Sequence, residues 1–255
     1  DLDPSEFTTD IDNPYWPMQP GTRWTYREVD EEGNEVEVVV VVTTETKKIA
    51  NGVTARVVRD TVTENGGIIE DTFDWYAQDR DGNVWYLGED TAEFEDGKVT
   101  TRAGSFEAGV DGALPGIIMP ADPQPGLAYR QEYYAGEAED NGEVLSTGEQ
   151  AEVPAGHYRD VLLTKDTIAN QPDVLEYKLY APGIGPVLVF GVSGAVAPPR
   201  SHIARGTPLR RTTAPRTRPR TTALHDVGHR QLPPAPAPGA HRPRGLATDR
   251  PACPR

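Results

Sequence analysis

Phe73-Asp74-Trp75-Tyr76-Ala77-Gln78-Asp79-Arg80-Asp81-Gly82-Asn83-Val84-Trp85-Tyr86-Leu87-Gly88-Glu89-Asp90 is the stretch whose reading decides the fold. Asp81, Gly82 and Asn83 tolerate the left-handed backbone of a tight turn. Trp75-Tyr76 and Trp85-Tyr86 put bulky β-formers on the two arms at matching distances from that turn. The stretch predicts an aromatic hairpin at the centre of a sheet.

Working outward towards the N-terminus, Glu64-Asn65-Gly66-Gly67, Asn51-Gly52 and Asp30-Glu31-Glu32-Gly33-Asn34 are further turn signals. They separate β-branched runs at 35–46, 53–63 and 68–78, where Val38 to Val42 is too β-branched for a comfortable helix. Upstream of these, Pro14, Pro17 and Pro20 force an extended entry, and Pro20-Gly21 turns it into a strand on which Trp24 and Tyr26 share one face. Core packing is the stronger reading of those two aromatics, ahead of stacking on a sugar. Four turns at near-regular spacing predict an up-and-down antiparallel sheet of about five strands.

Towards the C-terminus the texture changes. Residues 104–126 are rich in Gly and Pro around Leu114-Pro115-Gly116-Ile117-Ile118-Met119-Pro120, and they read as a long loop laid across the sheet, either a hydrophobic cap or the lid of a ligand pocket. Further strands are predicted at 129–134, 142–153, 158–167, 174–180 and 187–192. No Rossmann glycine fingerprint, phosphate-binding loop or sustained amphipathic helix is present. The fold class that results is all-β, a mostly antiparallel meander curled into a β-barrel or half-barrel.

Composition divides the chain in two. Residues 1–193 hold 13 Lys+Arg against 38 Asp+Glu, a formal charge of −25, while residues 194–255 hold 12 Arg, no Lys and 2 Asp, a charge of +10. The second part also carries 12 of the 24 prolines, four of the five histidines and the only cysteine, Cys253. It reads as a disordered Arg/Pro-rich tail, and its vocabulary is that of a GC-rich gene translated out of frame. The domain plan is then a flexible lead-in over 1–13, a single β domain over 14–193, and the tail over 194–255. A charge of −25 on the β domain argues against nucleic acid or an anionic membrane surface as its partner. No run of about 18 apolar residues could span a membrane. A start at Asp1 rather than Met is what a removed leader would leave.

Candidate chemistry is sparse. Asp79, Asp81 and Asn83 offer oxygen ligands at alternate positions, with Glu89 or Asp90 to close the shell, in the manner of a calcium loop. The glycine is misplaced for an EF-hand, however, so a plain hairpin turn is the stronger reading. Glu132, Glu137, Glu139 and Asp140, with Asp111 and Asp122, could set two carboxylates across a cleft, as glycoside hydrolases do. His157 is the one histidine before the tail, which argues against a catalytic zinc site, and no nucleophile elbow exists. No catalytic residue is assigned. The ligand-binding candidates are Trp75 and Trp85 on the hairpin, Leu114, Ile117 and Met119 on the loop, and Tyr133.

Asn13-Pro14-Tyr15-Trp16-Pro17-Met18-Gln19-Pro20-Gly21-Thr22-Arg23-Trp24-Thr25-Tyr26, together with Pro115 to Pro123 and Tyr129 to Asp140, resembles a group of uncharacterised bacterial secreted proteins and candidate lipoproteins. Members open with a Pro-rich Gly-x-x-Trp-x-Tyr strand after an export signal. The resemblance runs from Ile11 to Gly194 and implies an extracytoplasmic, secreted or cell-envelope location without an assigned activity. The expected function is a non-enzymatic binding or envelope protein that holds a small apolar molecule between the curved sheet and the 104–126 loop. The alternative is a secreted carbohydrate-active hydrolase with paired carboxylates, stabilised by calcium.

Overall fold

A computed structural model describes residues 2–29 and 34–191 and the strand backbone of residues 220–229. In chain order the strands are β1 Phe7–Thr8, β2 Thr22–Val29, β3 Glu35–Lys48, β4 Thr54–Glu64, β5 Gly67–Asp79, β6 Val84–Glu95, β7 Lys98–Thr101 and β8 Phe106–Glu107. They continue as β9 Leu114–Met119, β10 Ala128–Arg130, β11 Glu132–Tyr133, β12 Asp140–Val153, β13 Gly156–Ile168, β14 Gln171–Ala181, β15 Gly185–Gly191 and β16 Arg220–His229. Among the described residues the one helical piece is a single turn at Pro4–Glu6.

The strands form one antiparallel sheet whose main path is β10-β12-β13-β14-β15-β16-β2-β3-β4-β5-β6-β9-β11, with β1 added on β5 and β7 and β8 on β6. The run β2 to β6 is the five-strand meander that the turn signals predict. Its aromatic hairpin pairs Tyr76 with Tyr86 and Ala77 with Trp85, and Gly82 takes φ +95°, as the turn demands. The sheet path begins at β10 and ends at β11, and only Gln131 separates these two in the chain. One strap therefore flanks β12 on one side and β9 on the other, and the sheet curls into a half-barrel.

Side chains alternate across each strand, and along β2 to β6 the inward set falls on even numbers up to Tyr86. Trp24, Tyr26, Val42, Val58, Tyr76, Val84 and Tyr86 meet Val144, Val161, Leu179, Tyr180 and Val187 from the β12–β15 half in one core. A second cluster lies on the outer face of the hairpin. There Ile49, Val53, Ala55, Val57, Trp75, Ala77, Leu87 and Ala108 pack with Phe7.

One expectation is corrected here. The 104–126 segment is not a loop across the sheet, because Leu114–Met119 forms β9, paired with both β6 and β11. Pro115 lies near the strand's start, and Gly116 has no Cβ, which lets the backbone of Arg130 and Gln131 approach: a Cβ there would meet Arg130 O at 2.4 Å. The expected tail over 194–255 lies mostly outside the described residues. Within it, however, Arg220–His229 is a strand, paired with β15 on one side and β2 on the other. It covers what would otherwise be two open edges.

Candidate functional site

The interior of the half-barrel holds two neighbouring cavities. The first, about 270 Å³, is acidic: Glu89, Glu132, Asp140, Asp166 and Glu176 line it, with Tyr86, Ile118 and Lys178 among the rest. A second, about 260 Å³, is mostly apolar and aromatic, with Trp16, Trp24, Tyr26, Tyr76 and Tyr180 on its walls beside Val38, Val40, Val58 and Val189. Asp60 and Asp74 are its two carboxylates. Lys178 lines both spaces. The Tyr86 hydroxyl in the first donates to Asp74 Oδ1 in the second at 2.7 Å, and lies 2.9 Å from Glu89 Oε2.

The aromatic wall is built by the strand pattern. Trp16 packs between Tyr76 at 5.8 Å and Tyr180 at 5.6 Å between ring centroids, and Tyr76 stacks on Tyr86 at 5.0 Å. The polar tips of two neighbours are already committed. Trp24 Nε1 donates to the carbonyl of Ile184 at 2.7 Å, and the Tyr26 hydroxyl donates to that of Pro186 at 2.9 Å. What these side chains offer the cavity is ring surface.

Carboxylates crowded out of water hold their protons. Burial, with help from Glu70, Glu89 and Asp71, pushes the Asp60 carboxyl up to about 7. Burial and the charge of Asp60 push Asp74 up to about 7, against the opposing hydrogen bond from Tyr86. Glu89 is pushed up to about 8 by burial and by Asp74. Glu132 is pushed up to about 10 by burial and by its hydrogen bond with Asp140. For Lys178, burial acts downward, but Asp166, Tyr180 and Glu176 outweigh it and hold the ammonium well above its ordinary value. Its Nζ lies 2.8 Å from Asp166 Oδ2 and 3.5 Å from Glu176 Oε2. Asp60 Oδ1 is shut off from solvent and has no hydrogen-bond partner among the described residues.

None of the six ligand-binding candidates lines either cavity. Trp75 and Trp85 sit one residue out of phase with Tyr76 and Tyr86. Trp75 lies in the outer cluster with Lys47 Nζ 3.2 Å above its ring. Trp85 donates to Asp79 Oδ2 at 2.7 Å, and with Asp79, Asp81, Phe7 and Arg80 it lines a separate polar depression at the turn end of the hairpin. Met119 is in the main core, Leu114 is 44% exposed, and Ile117 pairs with Trp85 across β6 and β9. Tyr133 lies under the Arg130 guanidinium at 5.4 Å. The neighbouring Ile118 is the β9 side chain that reaches the acidic cavity.

Of the calcium candidates, Asp79, Asp81 and Asn83 share one turn and Asp90 lies apart from them. Asp79 spends both carboxylate oxygens on its own turn, accepting from the backbone N–H groups of Asp81 and Asn83, from Asn83 Nδ2 and from Trp85 Nε1. Asp90 pairs with Phe73 in the middle of the hairpin, about 20 Å along the strand from Asp79 at its usual rise. There it contacts Arg102 at 2.5 Å. Among the described residues no group of three or more His, Cys, Asp or Glu is placed to hold a metal ion.

Of the acids proposed as a catalytic pair, Glu132 and Asp140 do meet, because the Tyr134–Ala138 bridge folds the chain back between them. They hydrogen-bond each other directly. Glu139 caps the N–H of Gly136, and Asp122 accepts from Gln124. Neither these nor Glu137 and Asp111 line the cavities. His157 is exposed at the start of β13.

Asp60, Asp74 and Lys178 escaped the sequence reading, although a signal for two of them was present, and Glu89 entered it only as a candidate calcium ligand. Asp60 shares its strand face with Val58 and Val62, and Asp74 shares its face with Tyr76. An acid on the apolar face of a strand is costly unless it is paired, hydrogen-bonded or protonated.

No protein-family model matches the chain, and no curated protein does. Among solved structures it is similar to a candidate exported protein with a YmcC-like fold from Bacteroides fragilis. That likeness is at 15% identity over 84% of this chain and 99% of the other, with a TM-score of 0.47. It is also similar to a candidate lipoprotein from Parabacteroides distasonis, at 11% identity over 85% of this chain and 99% of the other, with a TM-score of 0.41. Among the described residues no helix is long and apolar enough to cross a membrane.

Proposed function

We propose that this chain is an extracytoplasmic, non-enzymatic binding protein that holds a small amphiphilic molecule inside the half-barrel. The observation that carries the reading is the pair of adjoining cavities, about 260 and 270 Å³, one walled by aromatic rings and the other by polar groups. A binding site is commonly such a concavity, mostly apolar with a few convergent polar groups. The ligand lies between the β2–β6 and β12–β15 halves of the sheet rather than under the 104–126 segment, since that segment supplies strands. The extracytoplasmic location rests on the Pro-rich Gly-x-x-Trp-x-Tyr opening.

Native mass spectrometry of the full chain, purified from an exporting bacterial host without chelator, tests this. The expected spectrum shows a saturable small-molecule adduct that is released on acid unfolding. Bare polypeptide mass under all gentle conditions, or turnover of a sugar substrate that Glu132→Gln abolishes, would overturn it.

A further inference from the structure

The aromatic cavity has an unusual polar balance. Its walls present ring faces of Trp16, Trp24, Tyr26 and Tyr76, and the donors of Trp24 and Tyr26 are spent on backbone carbonyls. Both carboxylates, Asp60 and Asp74, are acceptors when ionised. The Lys178 ammonium is engaged by Asp166 and Glu176. A molecule entering this space therefore finds π surface and two carboxylates, with the hydroxyl-bearing Tyr76 and Tyr180 beside them. Asp60 Oδ1 is the acceptor left over: buried, and without a donor among the described residues. Once Asp60 is ionised, above about pH 7, a buried carboxylate oxygen in that condition carries its full desolvation cost, which a donor bearing positive charge relieves best.

Taking the interior as a ligand site, we infer that the aromatic cavity binds a primary alkylammonium, whose N–H donates to Asp60 Oδ1 while its hydrocarbon body lies against the rings of Trp16, Trp24 and Tyr76. Above about pH 7, where it ionises, Asp74 on the neighbouring strand supplies a second negative charge to the ammonium. The ring faces favour a cation by their quadrupole. A divalent metal does not fit, because half of the wall is hydrocarbon and cannot fill an oxygen shell. An organic anion would face Asp60 and Asp74 together.

The test is isothermal titration calorimetry of the full chain at pH 8 with four six-carbon probes: hexylammonium, hexyltrimethylammonium, hexan-1-ol and hexanoate. Hexylammonium is expected to bind at least tenfold more tightly than any other, since the trimethyl probe keeps the charge but lacks the N–H. Asp60→Asn is expected to weaken it at least tenfold, while Trp85→Phe, on the outer face, leaves it unchanged. Hexanol or hexanoate binding as well as the amine would overturn this inference and leave the cavity a ligand site. Equal affinity of the two cations, or an Asp60→Asn protein that binds as wild type, would also overturn it. If Asp60→Asn does not fold by circular dichroism, the ranking of the four probes on the wild type decides. Failure of all four to bind would count against the cavity reading as well.

Discussion

Neutralising Asp74 should change how stability responds to pH. Asp74 is 8% exposed, and burial with the neighbouring Asp60 raises its carboxyl from 3.8 to about 7. A carboxyl whose folded pKa lies above its unfolded one favours the folded state at low pH. Between the two values the unfolded chain has released the proton and the folded chain keeps it, so unfolding free energy falls by about 1.4 kcal/mol per pH unit. The loss is complete once pH passes the folded value. From pH 5 to pH 8 this removes about 3 kcal/mol through Asp74 alone. Asp60 and Glu89, also raised, act in the same direction. In Asp74→Asn the amide oxygen still accepts from Tyr86, but the titration is gone. Urea unfolding of both proteins at pH 5, 6, 7 and 8, at fixed ionic strength, measures the effect. The variant's stability relative to wild type should climb by about 3 kcal/mol across that range and then level off. A difference that stays flat, or that shrinks as pH rises, would refute the assignment of a buried, proton-holding carboxyl.

Other outcomes follow from the same geometry. Glu132→Gln keeps a neutral donor toward Asp140, so urea unfolding at pH 7 should differ from wild type by less than about 1 kcal/mol; a loss of several would mean that Glu132 is ionised. Gly116→Ala places a Cβ 2.4 Å from Arg130 O and Gln131 O. It should cost about 1–3 kcal/mol and speed amide exchange across residues 128–133. Ending the chain at residue 194 removes β16 and leaves β15 and β2 as open edges. Light scattering should then show association that the full chain lacks. Trp24→Ala deletes a buried ring and its bond to Ile184, and should cost about 3–5 kcal/mol in chemical unfolding.

The meander was legible because its turns announce themselves. Asn51-Gly52, Asn65-Gly66 and Asp81-Gly82-Asn83 each require residues that accept a left-handed backbone, and the β-branched runs between them have little alternative to strand. Strand phase around the hairpin was not legible. Trp75-Tyr76 and Trp85-Tyr86 put a large aromatic on each face, and alternation alone cannot say which face turns inward. Phe7, Ile49, Val53 and Ala108 decide it by covering the Trp75 side. Leu114 to Met119 looked like a loop because Pro115 and Gly116 are poor strand formers. Its strand character comes from the close approach of the strap, through pairs such as Pro115 with Glu132 and Leu114 with Tyr133 that are distant in the chain. Glu132 and Asp140 were legible as a pair but not as a directly bonded one, since their separation depends on the Tyr134–Ala138 reversal. Asp60 and Asp74 were lost among many acids, and only the inward phase of β4 and β5 singles them out.

The central claim is that the space between Val40 on β3 and Val189 on β15 holds a ligand. Native mass spectra of the wild type, Val40→Trp and Val189→Trp, produced in the same exporting host, test it most directly, because an indole from either wall fills the cavity. The account predicts a small-molecule adduct on the wild type that is absent from both folded variants. An adduct retained by both filled variants, or a wild type that carries none, would contradict it.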